Sequence, residues 1–157
     1  MALNVDRFLS MVMTQGAADA FVQGTLATNI VPKDGMVWVV SLIEFNFTTA
    51  TPLSGITADT IIHWSFSRDT KTAICLYDDI DCIFADGMAI PLNTNGQVIV
   101  PLRYEYVPPE GLLIVEPTIY GQLDSTGLGT ALTAAVRIHY QEAKATEVEI
   151  LRLLNNA

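Results

Sequence analysis

Residues 36–48 read MVWVVSLIEFNFT, a run that is apolar at nearly every position and rich in β-branched and aromatic side chains. Those residue types fit a pleated, covered surface better than a helix. Simple alternation puts Val37, Val39, Ile43, Phe45 and Phe47 on one face and Trp38, Val40 and Leu42 on the other. Both faces are apolar over the first half, so the strand is expected to be covered on both sides there. In a two-layer sandwich one face meets the core, and the other meets a neighbouring element or another subunit.

The same period recurs outward from this run. Residues 59–67 (DTIIHWSFS) alternate Ile62, Trp64 and Phe66 against His63, Ser65 and Ser67. Residues 20–28 (AFVQGTLAT), 71–77 (KTAICLY), 98–107 (VIVPLRYEYV) and 131–141 (ALTAAVRIHYQ) read as further strands, the last with Ala134, Val136, Ile138 and Tyr140 inward. Residues 112–123 (LLIVEPTIYGQL) read as one strand, or as two broken at Pro117. Lys33-Asp34-Gly35, residues 51–55 (TPLSG), Asn95-Gly96 and residues 124–130 (DSTGLGT) supply turns between them. Residues 78–97 are less regular. About eight strands at this spacing predict an all-β sandwich over residues 19–142.

Two short segments flank it. In residues 1–18, Val5, Phe8, Leu9 and Val12 recur at helical spacing, which predicts an N-terminal arm or a short amphipathic helix. In residues 143–157, Thr146 and Glu149 have the spacing of a capping box, so a short C-terminal helix is expected. Its Val148, Ile150, Leu151, Leu153 and Leu154 cover more of the circumference than one docking stripe needs. Phe8, Leu9, Val12, Trp38, Val148, Ile150, Leu151 and Leu154 are therefore candidate subunit-contact residues.

Composition points the same way. Half of the 157 residues are hydrophobic, and the mean hydropathy is +0.36. A small domain cannot hide that much apolar surface alone, so it needs a membrane or a partner. The longest apolar stretch, Met36 to Ile43, is too short for a spanning helix of about 20 residues. A partner remains, first of all further copies of the same chain. The net charge of −9 and the scattering of eight Lys and Arg argue against direct contact with nucleic acid. Residues 1–13 lack the basic start and apolar centre of a secretory signal, which leads us to expect synthesis in a cytoplasm. Cys75 and Cys82 read as two reduced, buried thiols.

Motifs for chemistry are sparse. The chain has no H-E-x-x-H, C-x-x-C or G-x-S-x-G motif, and its two histidines, His63 and His139, lack the grouping of a cupin metal site. His139 and Arg137 share one strand face and read as a surface pair. Asp78, Asp79, Asp81 and Asp86 form an acidic stretch whose carboxylates could present oxygen ligands to calcium near Asp78, Asp79 and Asp81, although it lacks the spacing and central glycine of an EF-hand loop. Trp38 and Trp64 would form a carbohydrate platform only if exposed together; packing is the simpler role. No enzyme is expected.

The second half, PLRYEYVPPEGLLIVEPTIYGQLDSTGLGTALTAAVRIHYQEAKATEVEILRLLNNA, runs strand, proline loop, long apolar strand, glycine turn, last strand, terminal helix. This order resembles the single jelly-roll capsid proteins of icosahedral viruses and is similar to small virion structural proteins of phages. The resemblance covers roughly residues 19–142 at the level of architecture. It implies a jelly-roll-like sandwich and a capsid or capsid-decorating subunit located in the virion, with itself and other virion proteins as partners. Many such proteins carry a basic arm that meets the genome, and this chain has none. The alternative function is a carbohydrate- or receptor-binding sandwich, such as a fibre head or lectin-like module, using loops 50–58, 86–97 and 124–130.

Overall fold

The computed structural model describes residues 7–49, 59–90, 103–108 and 112–146. The expected C-terminal helix, with Val148, Ile150, Leu151 and Leu154, lies outside the described residues, as do residues 98–102 of the expected 98–107 strand. Among the described residues there are nine strands. They are β1 (Arg7–Thr14), β2 (Val22–Ala27), β3 (Met36–Thr49), β4 (Thr60–Ser67), β5 (Cys82–Ile90), β6 (Arg103–Tyr106), β7 (Leu112–Ile114), β8 (Thr118–Thr126) and β9 (Leu132–Lys144).

The strands form two antiparallel sheets. The first has the order β1-β9-β3-β6, with β7 also pairing with β3, and the second has the order β2-β8-β4-β5. The pairs are nested: β1 with β9, β2 with β8, β3 with β6 and β7, β4 with β5. Nested pairing is what results when one long hairpin is wound around a core, and its product is the jelly roll. Pro117 splits the 112–123 segment into β7 and β8, since proline cannot donate to a ladder.

The core lies between the sheets. Phe45 and Phe47 of β3 pack on Trp64 of β4 at ring-centroid distances of 5.2 Å each. Ile62, Trp64 and Phe66 face inward from β4 as their alternation predicts, and so do Ala134, Val136, Ile138 and Tyr140 from β9. Trp38 stacks on Tyr140 at 3.7 Å and is 2% exposed.

Four expectations need correction. First, simple alternation fails in β3. Its register against β9 shifts between Val40 and Leu42, the signature of a β-bulge. The bulge resets the parity, so Trp38 and Val40 share the core with Ile43, Phe45 and Phe47. Val37 instead joins Val115 in a small outer cluster against Ala143 and Ala145.

Second, residues 7–14 are a strand, not a helix. Leu9, Met11 and Met13 also recur at the strand period, and Met11 and Met13 are buried. They lie over Gly24 and Gly121, which are directly paired across β2 and β8. A Cβ on Gly24 would come within 2.7 Å of Met11 Cε. The missing side chains make the hollow that receives β1.

Third, residues 71–77 are not a strand. Side chains satisfy their backbone instead: the Lys71 amide donates to Gln23 Oε1 at 2.7 Å and the Cys75 amide to Ser65 Oγ at 3.0 Å. The segment thereby covers the outer face of β4, and Ser65, Ser67 and Gln122 are buried beneath it in a mutual hydrogen-bond network. Fourth, the irregular 78–97 stretch contains β5, which pairs with β4 over its whole length.

Candidate subunit interface

The outer face of the first sheet gathers the side chains that the core does not use. Strand β1 is its edge, and the alternation that buries Met11 and Met13 turns Phe8 and Val12 outward, at 55% and 63% exposure. An exposed edge with apolar side chains is a template for further association. Leu9 is partly buried against the core. Trp38, expected at a contact, is held inside its own chain because the bulge turns it inward. Trp64 is buried as well, so the two indoles form no exposed platform.

Beside Phe8 lies a charged cluster that sequence reading saw only in part. Glu44 of β3 is 7% exposed yet points to the outer face. Its carboxylate meets His139 Nε2 at 2.6 Å, the Arg103 guanidinium, and Arg137 at 3.8 Å. Arg103 also reaches Glu105 at 2.6 Å. The His139 hydrogen bond, then Arg103, hold the Glu44 carboxyl below the usual carboxylate range, against the opposing effect of burial. Arg137 places its guanidinium 4.8 Å from the Phe8 ring centroid, a cation–π contact. The ring also lies 6.0 Å from that of His139. The pair Arg137 and His139 is thus part of a six-residue network, Phe8, Glu44, Arg103, Glu105, Arg137 and His139, that links β1, β3, β6 and β9. A charged residue inside an apolar strand, as Glu44 is in IEFNF, was the available signal.

A second apolar patch lies on the segment before β5, where Leu76, Tyr77 and Ile80 are exposed. The acidic residues around it are engaged within the chain: Lys71 Nζ reaches Asp79 at 2.7 Å and Asp81 at 2.9 Å. These contacts raise the Lys71 pKa and lower that of Asp79. A calcium ion at Asp78, Asp79 and Asp81 would have to displace an ammonium already bound to two of the three carboxylates. Among the described residues no cluster of three or more His, Cys, Asp or Glu is placed to hold a metal ion. A shallow depression of about 270 Å³ is lined by His63, Cys75, Leu76, Tyr77 and Asp86. Asp86 accepts hydrogen bonds from the Tyr104 hydroxyl and, at 2.7 Å, from the Gly87 amide. Among the described residues no helix is long and apolar enough to cross a membrane.

The nested topology defines a jelly-roll β-sandwich of the kind found in viral capsid proteins. No protein-family model matches the chain, and no curated protein matches its sequence. Its fold is similar to that of the unassembled VP1 pentamer of Washington University polyomavirus, at 7% identity and a TM-score of 0.52, covering 92% of this chain and 95% of that one. More distant likenesses are to tomato aspermy virus, at 10% identity, TM-score 0.43 and 90% and 80% coverage, and to empty particles of cowpea mosaic virus, at 9%, 0.40 and 93% and 92%. At such identities the likeness speaks for the fold alone.

Proposed function

We propose that this chain is a virion structural protein, a capsid or capsid-decorating subunit that assembles with copies of itself through apolar surfaces. The observation that carries the reading is the edge strand β1. It is anchored by Met11 and Met13, and it presents Phe8 and Val12 to solvent on a jelly-roll body. Burial of such side chains at a contact contributes about 25 cal/mol per Å², less the cost of association. The role is mechanical: a rigid sandwich fills the shell, while β1 and the apolar 146–157 segment, including Leu151, tie neighbours together. Other virion proteins are further partners, and no catalytic step is assigned. The net charge of −9 favours a shell whose genome is neutralised by something other than this subunit.

The test is light scattering and electron microscopy of the purified protein. Oligomers or closed particles are expected. Val12→Asp should shift the mass toward monomer while far-UV circular dichroism stays unchanged, because Val12 supports no core contact. Leu151→Asp should weaken assembly by the same measure. A monodisperse monomer at high concentration would remove the proposal. Isolated heads that bind glycans on an array would favour the receptor-binding alternative.

A further inference from the structure

Cys75 and Cys82 stand at the two ends of the loop that carries Leu76, Tyr77 and Ile80. Both are free thiols. The fold brings them to the same strand from different directions. Cys82 opens β5 as the cross-strand partner of Ser67 on β4. The Cys75 amide donates to Ser65 Oγ at 3.0 Å, on the same face of β4 two residues earlier. Between them the loop closes on itself. The Asp79 amide donates to the Leu76 carbonyl at 2.9 Å, and the Cys82 amide to the Asp79 carbonyl at 3.0 Å. Lys71 clamps the loop from outside through Asp79 and Asp81. The two cysteines are thereby brought together at β4, Cys82 opposite Ser67 and Cys75 bonded to Ser65, and each thiol shifts the ionisation of the other.

We infer that Cys75 and Cys82 are a disulfide-forming pair, a modification site at which a low-molecular-weight disulfide closes residues 75–82 into a covalent ring. The bridge would fix the loop that bears the exposed apolar patch when the protein moves from a reducing to an oxidising compartment. The inference does not depend on assembly, since a monomer holds the same pair.

The chemistry runs in two exchanges. Cys82, the more exposed thiol, loses its proton to solvent, and its thiolate attacks one sulfur of the small disulfide. The small S–S bond breaks, one small thiolate leaves, and a mixed disulfide forms on Cys82. Cys75 then loses its proton and attacks the Cys82 sulfur. The mixed S–S bond breaks and the second small thiolate leaves. Two protein thiols are oxidised and one small disulfide is reduced to two thiols. The order follows from access, because Cys75 is 2% exposed. Burial pushes both thiols up, Cys75 to about 12, so the thiolate is scarce at neutral pH and the reaction accelerates as pH rises.

The experiment treats the folded full chain with glutathione disulfide and follows intact mass without reductant. The expected product has lost two hydrogen atoms and keeps no glutathione. Cys75→Ser should stop at one glutathione on Cys82. Cys82→Ser should react about tenfold more slowly than Cys75→Ser, because only the buried thiol remains. Both serine variants should keep the wild-type circular dichroism, which separates lost chemistry from lost folding. Chymotrypsin supplies a second readout at the exposed Tyr77: in oxidised protein the two fragments should stay linked until reductant is added. A stable mixed disulfide on the wild type, disulfide-linked dimers, equal reactivity of the two variants, or fragments that part without reductant would each overturn the pair.

Discussion

Glu44 occupies the middle of β3 between Ile43 and Phe45, both fully buried, and its own carboxylate is nearly as shielded. It is tolerated because His139, Arg103 and Arg137 supply hydrogen bonds and opposite charge. The folded state holds this carboxyl below its ordinary range. Its contribution is therefore complete above the unfolded pKa and lost as pH falls through the folded one. Glu44→Gln should cost about 1–2 kcal/mol at neutral pH, less than a fully buried pair because the arginines are more than half exposed. Urea denaturation at a series of pH values should show the gap between variant and wild type closing below the carboxylate range. A gap that stays constant with pH would mean that packing, not charge, sets the cost. Local sequence disclosed that Glu44 is unusual, but its partner His139 is 95 residues away and no periodicity connects them.

Among the elements, β1 and β3 show where a local period misleads. Apolar residues at both helical and strand spacing occur in RFLSMVMT, and an isolated segment cannot choose between them. The choice is made by the Gly24 and Gly121 pair, which admits Met11 and Met13 only from an extended chain. Gly121→Ala would put a Cβ 2.9 Å from Met11 Cε and 3.1 Å from Met13 Sδ. It should destabilise the fold by about 1–3 kcal/mol. Truncating the neighbour as well, in Gly121→Ala with Met11→Ala, should cost less than the sum of the two single changes. Simple additivity in chemical denaturation would deny that the methionine fills the glycine hollow. In β3 the bulge moves Trp38 from an expected contact surface into the core, a one-residue parity change that alternation alone cannot register.

At the scale of the whole molecule, strong negative charge and a high apolar fraction act against each other. Copies with a net charge of −9 repel one another at low ionic strength, while apolar contacts are unaffected by screening. Raising salt from about 10 mM to about 150 mM shortens the screening length from about 30 Å to about 8 Å and should promote assembly. Sedimentation velocity across that range checks this. Dissociation with added salt would instead point to ion pairs across the contact, with the Arg103, Glu105 and Arg137 cluster the first place to look.

The sequence by itself determined the class of fold. Strand-period runs in β3, β4, β8 and β9, the turn at Lys33-Asp34-Gly35 and the break at Pro117 are local features, each written in a few adjacent residues. Tertiary structure alone decided the rest. It made residues 7–14 a strand, laid 71–77 across β4 as a cover, reset the faces of β3, joined Glu44 to His139 and brought Cys75 and Cys82 to neighbouring positions on β4. The physical reason is that nested pairing joins segments as far apart as Arg7 and Glu142, which form an ion pair across the first sheet. Which face a side chain takes there depends on what the distant partner offers, whether a missing Cβ, a bulge or an opposite charge.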